Sequence, residues 1–102
     1  MREIDVRELH ARLQDEGPHA VVDVREGHEF AAGHVPGAIN VPLTQLVDRV
    51  TEVTTLPGDV YVICQSGNRS AQVTAWLEQQ GYAVANVAGG TGAWRVAGFP
   101  VE

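Results

Sequence analysis

Val60-Tyr61-Val62-Ile63-Cys64-Gln65-Ser66-Gly67-Asn68-Arg69-Ser70 holds the only cysteine of the chain. A run of β-branched and aromatic residues leads into it, small polar residues follow, and a helical pattern then begins. Strand, tight polar loop, helix is the arrangement that puts a loop at the carboxyl end of a strand, where open α/β sheets bind ligands. If the loop curls around the Cys64 sulfur, the backbone N–H groups from Gln65 to Ser70 can point inward, since none of these residues is proline. Successive inward N–H groups make an anion-binding nest, and the start of the next helix adds its positive end. Gly67 allows the positive φ and close approach that such a curl needs. Arg69 brings the one formal positive charge. In that field a cysteine favours thiolate, with a pKa below the roughly 8.5 of a free thiol. A thiolate inside an anion cradle suits taking a group from an anionic donor and holding it. The opposing reading is a buried strand-end cysteine followed by an ordinary loop, because free cysteine is among the most buried residue types. The stretch alone leaves both readings open.

The 102 residues suffice for one domain with one packed core. The apolar fraction of 44% and charged fraction of 20% are ordinary for a globular protein. No apolar run approaches the roughly 20 residues of a membrane span, and Met1-Arg2-Glu3-Ile4-Asp5 is not followed by the apolar core of a signal peptide. The expected compartment is therefore the cytoplasm, with no membrane partner. One cysteine excludes a disulfide within the chain, which fits a reducing compartment. It also means that anything Cys64 carries must leave to an external acceptor. Net charge is −6, and all seven basic residues are arginine. No lysine is present for a Schiff base, and no basic patch suggests nucleic acid. The acidic balance repels anions at long range, so capture depends on the local field of the loop.

Outward from the loop, strand and helix signals alternate. Asp5 and Glu8 have capping-box spacing ahead of Val6, Leu9 and Leu13, a scaffold helix that Gly17-Pro18 stops. Ile4 belongs to a short strand before it. Ala20 to Val24 is a near-continuous apolar run, as in a buried parallel strand. Asp23 at its end needs a partner, which Arg25 or a loop N–H can supply. Glu26 to Ala32 suits a short helix ended by Gly33, and His34-Val35-Pro36-Gly37 suits a type II turn. Ala38 to Val41 reads as a strand. Leu43, Leu46, Val47 and Val50 read as one amphipathic helix after Pro42, with Thr44 near its start. Thr51 to Leu56 shows no clear period, and Pro57-Gly58 turns into the strand Asp59 to Ile63. After the loop, Ala71, Val73, Trp76 and Leu77 share a helical face with Gly81 at C′. Tyr82 to Val87 reads as the last strand. Gly89-Gly90 permits close backbone approach, and Thr91 is placed to cap a last helical turn bearing Trp94. His10, His19, His28 and His34 show no metal-ligand spacing with Cys64 or with each other. The alternation predicts a parallel sheet covered on both faces.

The matching stretches Val21 to Arg25, Phe30 to Pro42 (FAAGHVPGAINVP), Val62 to Ala71, Leu77 to Gly81, and Gly89-Gly90 with Trp94 together resemble the rhodanese (thiosulfate sulfurtransferase-like) family. Any one is weak, but their joint occurrence in order along the whole chain is specific. The resemblance implies one rhodanese domain over residues 1–102, an α/β fold of three α/β/α layers around a five-stranded parallel sheet. It implies that Cys64 is the nucleophile and carries a persulfide between half-reactions. The six-residue loop of the family maps onto Cys64, Gln65, Ser66, Gly67, Asn68 and Arg69, with Ser70 beside it at the head of the helix. Asp23 and Arg25 map onto a pair that supports the loop, and His34 falls in a structural segment. The implied donor is a small sulfur anion such as thiosulfate, the acceptor cyanide or a thiol, and no metal or organic cofactor is needed.

Two rivals remain at this point. Cysteine-dependent phosphatases and arsenate reductases place five residues between cysteine and arginine, whereas here four, Gln65 to Asn68, separate Cys64 from Arg69. The tighter loop suits one sulfur atom better than a phosphate. The other rival is a relay module that takes sulfur from a protein donor and hands it to a protein acceptor. One arginine beside neutral Gln65 and Ser66 makes a modest site for a doubly charged donor.

Overall fold

The computed structural model describes residues 1–102. Strands β1 (Arg2–Ile4), β2 (His19–Asp23), β3 (Ile39–Asn40), β4 (Asp59–Ile63) and β5 (Ala85–Val87) form one sheet in the order β1-β5-β4-β2-β3. All four pairings are parallel. The apolar run that leads to Cys64 is thus the middle strand.

Side chains of a strand alternate between faces, and β4 shows what each face meets. Val60, Val62 and Cys64 join a core with Val53 of helix α3 (Val50–Thr54) and Val73 and Leu77 of α4 (Asn68–Gln79). Tyr61 and Ile63 join a second core with Val6 and Leu9 of α1 (Val6–Gln14) and Trp94 of α5 (Gly90–Val96). These two cores make the expected three layers. Burying both faces of the middle strand requires its near-continuous apolar sequence.

The ends of the helices follow local chemistry. Asp5 caps α1 by accepting the Glu8 N–H at 2.8 Å, although the Glu8 carboxylate turns to Arg12 rather than back to the cap. The short helix α2 (Gly27–Ala31) starts in a capping box between Glu26 and Glu29. The turn at Val35–Ala38 closes with an Ala38 N–H to Val35 carbonyl bond of 3.0 Å, with Gly37 at φ 81°. His34 donates from Nδ1–H to the Phe30 carbonyl at 2.8 Å, a turn residue as expected.

Three expectations fail. The stripe Leu43 to Val50 is not one helix: Leu43–Gln45 is a 3₁₀ turn, the chain then swings, and α3 begins at Val50. Leu46 enters the core while Val47 is 69% exposed, so helical spacing there did not mean one shared face. Val53 is instead drawn inward to complete the core, which makes the stretch without a period helical. The last strand starts at Ala85, not Tyr82. The N–H of Tyr82 is spent on the Leu77 carbonyl and that of Gly81 on Glu78, a Schellman closure of α4. Thr91 does not cap α5; Gly89 occupies that position with φ 79°.

The glycine pair before α5 has a steric cause. A Cβ on Gly90, at φ 58°, would lie 2.3 Å from the Cys64 carbonyl oxygen. Gly90→Ala therefore combines left-handed strain with a backbone clash, and a loss of at least about 2 kcal/mol in unfolding free energy is expected from urea titration.

Candidate active site

Cys64 follows β4 directly, and the parallel register sets Asp23 beside Ile63. The loops leaving β2 and β4 therefore emerge side by side at the carboxyl edge of the sheet. Cys64 is fully buried. Its sulfur accepts hydrogen bonds from the Gly67 N–H at 3.1 Å and the Ser70 hydroxyl at 3.3 Å.

The loop curls this way because its carbonyl oxygens are bound on the outside. The Cys64 carbonyl accepts from the Thr91 N–H at 2.8 Å and from the Thr91 hydroxyl at 3.2 Å. The Gln65 carbonyl accepts from the Gly92 N–H at 3.0 Å. The Gly67 carbonyl accepts from the Ala71 N–H at 3.1 Å and from Asn86 Nδ2 at 3.2 Å. With these acceptors turned away, N–H groups face the sulfur. Gly67 stands at φ 97°, the left-handed conformation that the sequence led us to expect there. Burial pushes the Cys64 thiol up, but the Ser70 hydroxyl and the backbone N–H groups of Ser70, Gly67 and Ser66 together outweigh it, and the net shift is downward.

Beneath the loop lies a buried ion pair. Asp23 is 0% and Arg25 3% exposed. Arg25 Nη2 and Nε meet the Asp23 carboxylate at 2.9 to 3.2 Å, and the Arg25 N–H adds a bond of 3.0 Å. The remaining donors of Arg25 reach the Gly33 carbonyl at 2.9 Å and Gln65 Oε1 at 3.3 Å. Arg25 thus ties the loop after β2 to the loop after Cys64. Both candidate partners for Asp23, the guanidinium and a loop N–H, are used.

Arg69 is placed differently from a free anion receptor. Its Nη1 and Nη2 donate to the two carboxylate oxygens of Glu29 at 2.8 and 2.9 Å. Those hydrogen bonds hold the Glu29 carboxyl down at about 2, against the upward push of desolvation. The same hydrogen bonds raise Arg69 above the ordinary arginine range, with smaller contributions from Cys64 and Asp23. Gln65, Ser66 and Asn68 are exposed on the outer side of the loop. No three His, Cys, Asp or Glu side chains converge as a metal site. The largest cavity, about 280 Å³, flanks the start of β2 at His19 and Ala20, away from Cys64.

Sequence reasoning missed Glu29 and Asn86. Glu29 could be seen as the fourth residue of a capping box, but nothing in the order of residues joins it to Arg69. Asn86 is 1% exposed in β5, and its Nδ2 reaches both Gly67 and Glu3. An asparagine inside an apolar strand was the available signal.

These features define an α/β protein with a cysteine loop cradled by backbone amides at the centre of its sheet. Residues 5–97 match the rhodanese-like domain model, and the chain belongs to that family. It is 39% identical over 102 residues to a sulfurtransferase of Allochromatium vinosum, covering 99% of this chain and 94% of that protein. It is 36% identical to the adenylyltransferase and sulfurtransferase MOCS3 of Aedes aegypti, covering 89% of this chain but 23% of that longer one. A rhodanese-related protein of Thermoplasma volcanium superposes with a TM-score of 0.90 at 31% identity, over 100% of this chain and 98% of the other. Two of these relatives are thus sulfurtransferases.

Two outcomes follow from the site. In Ser70→Ala the thiol loses a donor that favours its ionised form, so the pH midpoint of alkylation by iodoacetamide should move up and the rate at neutral pH should fall. The Glu29–Arg69 pair stabilises the fold fully above the unfolded Glu value of about 4.5 and loses that contribution as pH falls toward 2. Glu29→Gln should therefore cost about 1 kcal/mol or less at pH 7, with the gap to wild type narrowing in urea titrations at pH 3.

Proposed function

We propose that this protein transfers sulfane sulfur through a persulfide on Cys64. The observation that carries the reading is a single buried thiol with a lowered pKa, bonded to the Gly67 N–H and the Ser70 hydroxyl. In the first half-reaction the Cys64 thiolate attacks the outer sulfur of thiosulfate. The donor S–S bond breaks, and sulfite leaves with the electron pair. The products are Cys64–S–S⁻ and sulfite, so charge and sulfur oxidation level balance without an outside oxidant. Donors of Gln65 to Ser70 stabilise the anionic outer sulfur.

In the second half-reaction cyanide or a thiol attacks the outer sulfur, and Cys64 departs as thiolate. A lowered pKa favours it as leaving group. The two halves predict ping-pong kinetics. Because Cys64 is closed off from solvent, admission of the donor sulfur requires the loop to open, and the exposed Ser66 and Asn68 lie on its outer side. Asp23 and Arg25 act here as supports: their pairing holds Gln65 and does not touch the sulfur.

A second reading is carried by Arg69. Its occupation by Glu29 leaves little free positive charge for a dianion, which favours sulfur supplied by a protein persulfide in a relay. The similarity to one part of a longer sulfurtransferase fits either reading. The phosphatase reading is disfavoured by the four-residue spacing from Cys64 to Arg69.

Incubation with excess thiosulfate, removal of the donor and intact mass measurement should show a gain of one sulfur, about 32 Da. Cyanide should remove it, and Cys64→Ser should lack it. No gain from thiosulfate, with a thiol that still alkylates, would give precedence to the relay.

A further inference from the structure

Each arginine that reaches the Cys64 loop is paired with a carboxylate. Asp23 neutralises Arg25 below the loop, and Glu29 neutralises Arg69 at its rim. Glu26, whose Oε1 accepts from the Thr44 hydroxyl at 3.2 Å, adds a further carboxylate beside Glu29. Arg95 lies beyond Gly33, exposed, with Nη2 on the Ala32 carbonyl at 3.0 Å. The Glu29 carboxylate is not loosely placed: Oε1 also accepts the Glu26 N–H at 3.1 Å, so the capping box of α2 aims it at Arg69. Backbone dipoles can hold one anionic sulfur, but they offer little to a second charge carried by the body of the donor.

We propose that Glu29 is a specificity-determining residue that offsets the charge of Arg69 and so biases Cys64 toward sulfur donors carrying a single negative charge or none, against dianions. Persulfides of the form R–S–S⁻ are the chemical class this favours. The Cys64 thiolate attacks the outer sulfur, the S–S bond to R breaks, and RS⁻ leaves with the pair. This inference rests on the reading of Cys64 as the sulfur carrier. It goes beyond that reading by assigning donor selectivity to a residue of α2, outside the Cys64 loop.

The test compares two donors of similar shape and different charge. Thiosulfate is a dianion, and methanethiosulfonate replaces one charged oxygen with a methyl group. The rate of persulfide formation on Cys64 is measured for each by single-turnover mass spectrometry. In Glu29→Gln the ratio of thiosulfate to methanethiosulfonate rates should rise about fivefold over wild type, as expected for removing one nearby, partly screened charge. The gain should shrink as salt is added. Glu29→Asp, which keeps the charge, should give a ratio close to wild type. A ratio unchanged in Glu29→Gln, or both rates falling together, would overturn the proposal and leave Glu29 as a holder of Arg69 only. If neither donor, nor a small-thiol persulfide of the form R–S–S⁻, loads wild-type Cys64, the sulfur-carrier reading itself falls, and the selectivity claim with it.

Discussion

The site depends on where the carbonyl oxygens of one loop are sent. A polypeptide curled around a sulfur presents either its N–H groups or its C=O groups to the inside. Here Thr91 and Gly92 at the start of α5 take the carbonyls of Cys64 and Gln65, and Asn86 with Ala71 takes that of Gly67. Each is a neutral hydrogen bond of modest net worth, about 1 kcal/mol. Together they fix the polarity of the cradle, and that polarity lowers the thiol pKa despite burial.

The surrounding architecture serves that constraint. α5 approaches close enough to bind the Cys64 carbonyl only because Gly90 lacks a Cβ. It is held there from behind by Trp94, 1% exposed, whose Nε1 donates to the Pro100 carbonyl at 2.8 Å. Trp94 also packs against His10 of α1 and against Phe99. On the opposite side, Arg25 braces Gln65 from the β2 loop. A buried pair such as Asp23–Arg25 is weak evidence for net stability, because desolvation offsets its attraction, but losing one partner would leave an uncompensated buried charge. Its four hydrogen bonds, with the two further ones from Arg25 to Gly33 and Gln65, are better understood as alignment of two adjacent loops.

Electrostatics divide the site into two scales. Close to Cys64 the field is positive and made of peptide dipoles, which salt screens little at contact distance. Farther out the formal charges are paired, and the chain as a whole carries −6. A negatively charged sulfur is therefore favoured inside the loop, while the approach of a highly charged anion from outside is not assisted.

The order of residues determined a good deal by itself. The run Asp59–Ile63, the cysteine after it, Gly67 at its positive φ and the helix from Asn68 could be read directly, because each follows from a local preference of backbone or side chain. The Asp5 cap, the Gly81 closure and the need for small residues at Gly89-Gly90 were legible for the same reason. The stripe from Leu43 to Val50 was not, since a helical period says which residues can share a face but not whether the sheet leaves room for that face. Tertiary structure alone decided that Asp23 lies beside Ile63, that Glu29 meets Arg69, and that Asn86 reaches Gly67. Parallel register and strand order bring those residues together across 19 to 40 positions of chain, and no local preference encodes such a distance.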